Sequence, residues 1–86
     1  MVRTRVKVCG ITSSQDGLAA VHAGVDAIGL VFYPHSSRFV QVEDARAIAR
    51  ALPPFVSLVG LFLDAQMSDV QMTLERVPLD MLQFHA

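Results

Sequence analysis

Two stretches of this chain are apolar along their whole length, and they limit its fold more than any other feature. Asp26-Ala27-Ile28-Gly29-Leu30-Val31-Phe32-Tyr33 is charged only at its first residue, and Phe55-Val56-Ser57-Leu58-Val59-Gly60-Leu61-Phe62-Leu63 carries no charge. Both have the length of a strand, in which successive side chains point to opposite faces. A strand that is apolar on both faces must be covered on both. That places it in the middle of a parallel sheet flanked by helices, or in the wall of a barrel.

The segments around these runs complete the pattern. Val6-Lys7-Val8-Cys9-Gly10-Ile11-Thr12 reads as an opening β-branched strand and a turn, with Val6 and Val8 on one face and Lys7 and Cys9 on the other. Ser13 or Ser14 can cap a helix that carries Asp16 in its first turn, sets Leu18, Val21 and His22 at helical spacing, and stops at Gly24. His22 is expected on its surface. A second helix is predicted over residues 42–52, with Glu43 and Asp44 early, Arg46 and Arg50 late, and Pro53-Pro54 ending it. Ser68 and Gln71 suggest a capping box for a third helix reaching Arg76, with Met67, Val70 and Leu74 as its apolar stripe. Pro78 breaks it, and Asp80-Met81-Leu82-Gln83-Phe84-His85 reads as a fourth strand.

The predicted order is therefore β-α-β-α-β-α-β, with connections of the length found between parallel strands. A faint repeat supports it. Ala23-Gly24-Val25-Asp26-Ala27-Ile28 and Val77-Pro78-Leu79-Asp80-Met81-Leu82 are each a helix exit, an aspartate and an apolar strand, two units apart. Repetition of a βα unit suits an α/β fold of the parallel (β/α) barrel, or TIM, type.

Composition narrows the function classes. A hydrophobic fraction of 52% is high for 86 residues and suits part of a larger core. The net charge of −1 offers no basic footprint for nucleic acid or an anionic membrane, so neither is expected as a partner. One cysteine cannot form an internal disulfide, and with no apolar run behind Met1-Val2-Arg3-Thr4-Arg5 a signal peptide is not expected. A soluble, cytoplasmic chain is the expectation.

In parallel βα arrays ligands bind at the C-terminal ends of the strands, where this chain keeps its chemistry. Cys9 ends the first strand, Arg38 lies in the Pro34-His35-Ser36-Ser37-Arg38 loop after the second, and Gln83 and His85 end the fourth on a common face. Lys7 shares the face of Cys9, and a cation beside a thiol just before a helix favours thiolate. The thiol can then act as a base or as a covalent nucleophile; inert core filling is the bland alternative. There is no Cys-x-x-Cys pair, Gly-x-Gly-x-x-Gly turn or Walker loop to suggest thiol redox or nucleotide chemistry.

Lys7-Val8-Cys9-Gly10-Ile11-Thr12 resembles the opening signature of the phosphoribosylanthranilate isomerases, barrel enzymes of tryptophan biosynthesis. Asp26-Ala27-Ile28-Gly29 with Val31-Phe32-Tyr33, the Ser36-Ser37-Arg38 loop, and Leu82-Gln83-Phe84-His85 match the family in order. The resemblance implies an Amadori rearrangement of N-(5-phosphoribosyl)anthranilate to 1-(2-carboxyphenylamino)-1-deoxyribulose 5-phosphate. It implies Cys9 as the general base taking the sugar C2 proton and Arg38 as the residue holding the anthranilate carboxylate. Lys7, Gln83 and His85 are read as further substrate-binding residues. No metal or organic cofactor is implied, and the expected partner is a small sugar phosphate. Ser37 stands where the family often has proline, and Ala86 where it usually has glycine; neither removes a catalytic atom.

Barrels of this kind run upward from about 200 residues. Residues 1–86 are thus expected to form the N-terminal half of a single (β/α)8-barrel domain. The general-acid aspartate and the phosphate site would then lie on later units. The chain alone is expected to be inactive and to self-associate or pair with a C-terminal half. The alternative is a non-catalytic half-barrel that serves as a binding or assembly module.

Overall fold

The computed structural model describes residues 3–85; the readings made of Met1, Val2 and Ala86 lie outside them. The elements are β1 (Lys7–Cys9), α1 (Ser14–His22), β2 (Ala27–Val31), α2 (Val42–Ala51), β3 (Ser57–Leu63), α3 (Met67–Arg76) and β4 (Met81–His85). The strands form one parallel sheet in the order β1-β2-β3-β4. A sheet whose neighbours follow chain order has no reversal point, which separates a barrel wall from a doubly wound sheet.

Register sorts the side chains. Val8, Ile28 and Leu58 lie in one row, Leu30, Gly60 and Leu82 in the next, and Phe62 beside Phe84 in a third. These rows face the helices, and Ile28, Leu30 and Leu58 form the core with Val40, Ala45, Ile48 and Val77. Phe62 stacks between Phe32 and Phe84, with ring centroids at 5.4 and 5.8 Å. The opposite face carries Lys7, then Cys9 with Gly29, Val59 and Met81, then Val31 with Leu61 and Gln83, then Leu63 with His85.

Local signals explain the helix ends. Ser13, not Ser14, caps α1: its Oγ accepts the Asp16 N–H at 3.1 Å. Gly24, at φ +97°, ends that helix, its N–H donating to the Val21 carbonyl at 2.9 Å. Arg46 and Glu43 pair across a turn of α2 at 3.5 Å, and Leu52 turns extended ahead of Pro53.

Three expectations are corrected. The Ser68/Gln71 capping box does not form: α3 starts at Met67 after Gln66, which gives no side-chain cap, so Ser68 already lies inside the first turn. The buried positions of α3 are Val70 and Thr73, with Val77 buried just past its end, while Met67 and Leu74 are exposed. Thr73 tolerates burial because its hydroxyl donates to the Asp69 carbonyl at 2.9 Å. β3 begins at Ser57 rather than Phe55, which is fully exposed at φ +71° in the turn after the two prolines. In α1 the buried position is Gly17, pressed on Ile11, Ile48 and Leu52, so Leu18 points outward while Val21 packs on the core. His22 is exposed, as expected.

The sequence repeat has a structural counterpart. Asp26 N–H donates to the Val6 carbonyl at 2.9 Å, and Val6 N–H donates back to the Asp26 carboxylate at 2.8 Å. Asp80 N–H donates to the Leu58 carbonyl at 2.8 Å, and Leu58 N–H returns to the Asp80 carboxylate at 2.7 Å. Each aspartate thus clasps the strand before its own by two reciprocal bonds. Arg3 adds a two-pronged ion pair to Asp26, and this guanidinium, followed by the Val6 N–H, holds the Asp26 carboxyl below its ordinary range.

A carboxyl lowered in the folded state contributes stability above its unfolded pKa and loses it as the pH falls through the folded value. Wild type should therefore exceed Asp26→Asn in urea midpoint by a constant margin at neutral pH. The margin should shrink below pH ~4, the ordinary aspartate value, because protonated Asp26 then resembles asparagine. A margin that does not change with pH would remove Asp26 from the acid response.

Candidate active site

Cys9 is the last residue of β1 and is exposed on the concave face. Two glycines make its position. Gly29 lies directly across the ladder, and a Cβ placed there would sit 3.0 Å from the Cys9 sulfur, so the bare backbone leaves room for the thiol. Gly10 follows at φ +87° and turns the chain, with the Gly10 and Ile11 N–H groups both donating to the Gly29 carbonyl at 3.0 and 3.2 Å. Ile11 then drops into the core and anchors the turn.

Arg38 is brought to the same place by the loop after β2. Ser36 N–H donates to the Tyr33 carbonyl at 3.0 Å, Arg38 N–H to the Ser36 hydroxyl at 3.1 Å, and Phe39 N–H to the Ser36 carbonyl at 3.2 Å. Val40 then returns to β2 through the Val31 carbonyl at 3.0 Å. The excursion is thus tied at both ends, and Arg38 folds over Gly10. Its Cδ and Nη1 lie 2.6 and 2.8 Å from where a Gly10 Cβ would stand. Among the described residues the exposed guanidinium has no ion-pair partner.

Lys7, Gln83 and His85 form a second group on this face. The Lys7 ammonium reaches from β1 across to β4 and donates to Gln83 Oε1. Gln83 Nε2 lies 3.1 Å from His85 Nε2. Lys7 makes no hydrogen bond to Cys9 among the described residues, so its partner is the glutamine and not the thiol. His85 borders a cleft of about 150 Å³ with Val31, Tyr33, Ser36, Leu61 and Leu63. All five residues singled out in the sequence therefore share the concave side, as Cys9 with Arg38 and as Lys7 with Gln83 and His85.

Gly29, Tyr33 and Ser36 were not anticipated as site residues. A glycine inside an apolar strand does signal close approach, and a serine two residues before an arginine signals a side-chain turn. A larger cleft of about 570 Å³ opens on the helix side, between Phe39 and Val42 and the start of α3, and none of the five residues lines it. Among the described residues no three His, Cys, Asp or Glu side chains are placed to hold a metal ion, and no helix is long and apolar enough to cross a membrane.

A family model for N-(5'-phosphoribosyl)anthranilate isomerase matches residues 6–86. The chain belongs to the phosphoribosylanthranilate isomerase family. An isomerase of that name from Pseudomonas fluorescens is 61% identical over 85 residues, covering 99% of this chain and 40% of its own length. The crystal structure of the phosphoribosylanthranilate isomerase from Thermotoga maritima superposes with a TM-score of 0.93 at 44% identity, over 96% of this chain and 40% of that one. A phosphoribosylanthranilate isomerase in complex with reduced 1-(o-carboxyphenylamino)-1-deoxyribulose 5-phosphate gives the same TM-score, 0.93, and identity, 44%, over 96% of this chain and 43% of that one. The chain thus spans about two fifths of the length of the isomerases it matches, and its four parallel strands form a half-barrel of the TIM type.

Gly10 offers a direct test of how the first group is assembled. Gly10→Ala forces a side chain into the left-handed region, at a cost of about 1–2 kcal/mol, and displaces the Arg38 stem. The urea midpoint should fall, and Arg38 should lose its ordered place in a crystal structure of the variant. An unmoved Arg38 would separate it from the Gly10 turn.

Proposed function

We propose that this chain supplies the first four strand ends of a phosphoribosylanthranilate isomerase site. The reaction is the Amadori rearrangement of N-(5-phosphoribosyl)anthranilate to 1-(2-carboxyphenylamino)-1-deoxyribulose 5-phosphate, a step of tryptophan biosynthesis, in the cytoplasm. The observation that carries this reading is the exposed Cys9 thiol on the concave face with the Arg38 guanidinium folded over the adjoining Gly10. As thiolate, Cys9 accepts the C2 proton of the ring-opened iminium. The C2–H electron pair becomes the C1–C2 double bond, the C1–N double bond relaxes to a single bond, and the resulting enol tautomerises to the ketone. The general acid that opens the ring comes from an aspartate on a later strand. Arg38 holds the anthranilate carboxylate through its planar fork of donors.

A second reading concerns assembly. Phe84 is 60% exposed and Leu82 37% exposed, although both face the side where Phe62 is 2% exposed. Burying such side chains stabilises by about 1.5–3 kcal/mol each. This face therefore favours self-association of the chain or pairing with a C-terminal half.

Both readings are tested by mixing this chain with the C-terminal units of the Pseudomonas fluorescens relative. Turnover of phosphoribosylanthranilate should appear only on mixing, because positioning depends on all the groups surrounding one substrate. In that assembled barrel Cys9→Ala should lower kcat by roughly two to four orders of magnitude. Near-normal turnover by Cys9→Ala would remove the thiol from the mechanism. Arg38→Lys keeps the charge and loses the fork, so it should mainly raise KM. An unchanged kcat/KM would leave Arg38 as a loop cation.

A further inference from the structure

We infer that Lys7 and Gln83 are positioning residues that hold His85 as its neutral Nδ1–H tautomer, presenting one hydrogen-bond donor to an oxygen of the substrate. The inference deepens the isomerase reading and rests on it for the identity of the acceptor. Its starting point is charge. A lysine ammonium has three donors and no acceptor, and a glutamine amide has one acceptor end and one donor end. With Lys7 donating to Gln83, only the Oε1 end can face the ammonium, since the reversed amide would set donor against donor. The orientation of the amide therefore follows from its neighbour.

The rest follows in sequence. With Oε1 turned to Lys7, the Gln83 NH2 group is the one 3.1 Å from His85 Nε2. That nitrogen must accept and cannot carry a proton. In a neutral imidazole the proton then resides on Nδ1. The three residues can meet because Gln83 and His85 are two apart on β4 and share its concave face, while Lys7 reaches over from β1.

Two consequences bear on the chemistry. Among the described residues Nδ1 has no hydrogen-bond partner, and the ring borders the cleft formed with Val31, Tyr33, Ser36, Leu61 and Leu63. An unpaired neutral donor there complements a sugar hydroxyl or carboxylate oxygen without adding a third cation to Lys7 and Arg38. The occupied Nε2 is also withheld from proton abstraction, which leaves Cys9 as the base on this half of the site.

The test is the tautomer itself, read by long-range proton–nitrogen NMR correlation at pH 8 with 15N-labelled histidine. It is made on the 86-residue chain and on the barrel completed with the C-terminal units of the relative. The His85→Asn variant assigns the signal among His22, His35 and His85. Wild type should show His85 with its proton on Nδ1 in both samples. Lys7→Met should lose that single tautomer, and Gln83→Glu should reverse it, because a carboxylate accepts from Nε2–H. A wild-type Nε2–H ring, or an Nδ1–H ring unchanged in Lys7→Met, would overturn the proposal. The signal does not depend on turnover. A locked Nδ1–H tautomer in a completed barrel without isomerase activity would therefore fail the isomerase reading alone.

Discussion

The ladder between β2 and β3, from Ala27 opposite Ser57 to Val31 opposite Leu61, buries side chains on both of its faces. Ile28, Leu30 and Leu58 must be covered by helices, and Val31 and Val59 on the other side are equally withdrawn from water. Removing apolar surface from water drives this arrangement. It also confines polar side chains to places where the ladder stops. The C-terminal strand ends and their loops are those places, and Cys9, Arg38 and His85 occupy them because the interior has no room for an unpaired polar group, while Gln83, midway along the edge strand β4, is paired with Lys7.

Much of this was legible in the chain. The runs at Ile28 and Leu58 declare a sheet covered on both sides, Ser13 and Asp16 declare a helix start, and Gly24 its end. The strand-end placement of Cys9 and the spacing of Gln83 and His85 follow from the two-residue period of a strand. What escaped depended on competition or on distance. Ser68 has the spacing of a cap, but Met67 is already helical, so the hydroxyl falls within the first turn. Met67 and Leu74 share an apolar pattern with Val70, yet α3 turns Val70 and Thr73 inward, and a polar threonine is silent in a hydrophobic count. Phe55 reads as strand by propensity, while the prolines before it impose a turn. Contact between Arg38 and Gly10 joins residues 28 apart in the chain, and no local pattern reports it.

The concave face combines two kinds of order. Around Cys9 it is steric: Gly29 withdraws and Gly10 bends, so that a thiol and a guanidinium occupy the space that side chains would fill. Across β1 and β4 it is electrostatic, since one ammonium sets the sense of an amide and, through it, of an imidazole. Neither group needs a hydrogen bond to the other, because both are carried on a sheet whose register is already set.

That register has its own guard in the paired aspartate clasps. In a strand, slipping by one residue reverses every side chain, which would send Cys9 toward the helices and Val8 into the site. A carboxylate held to one particular backbone N–H penalises such a slip at once, since it would be left facing a carbonyl. The bonds close loops of only 20 and 22 residues, one joining β1 to β2 and the other β3 to β4. Short loops close at modest entropic cost. Each pair of strands therefore carries its own alignment mark, and the wall can be proofread two strands at a time as it forms.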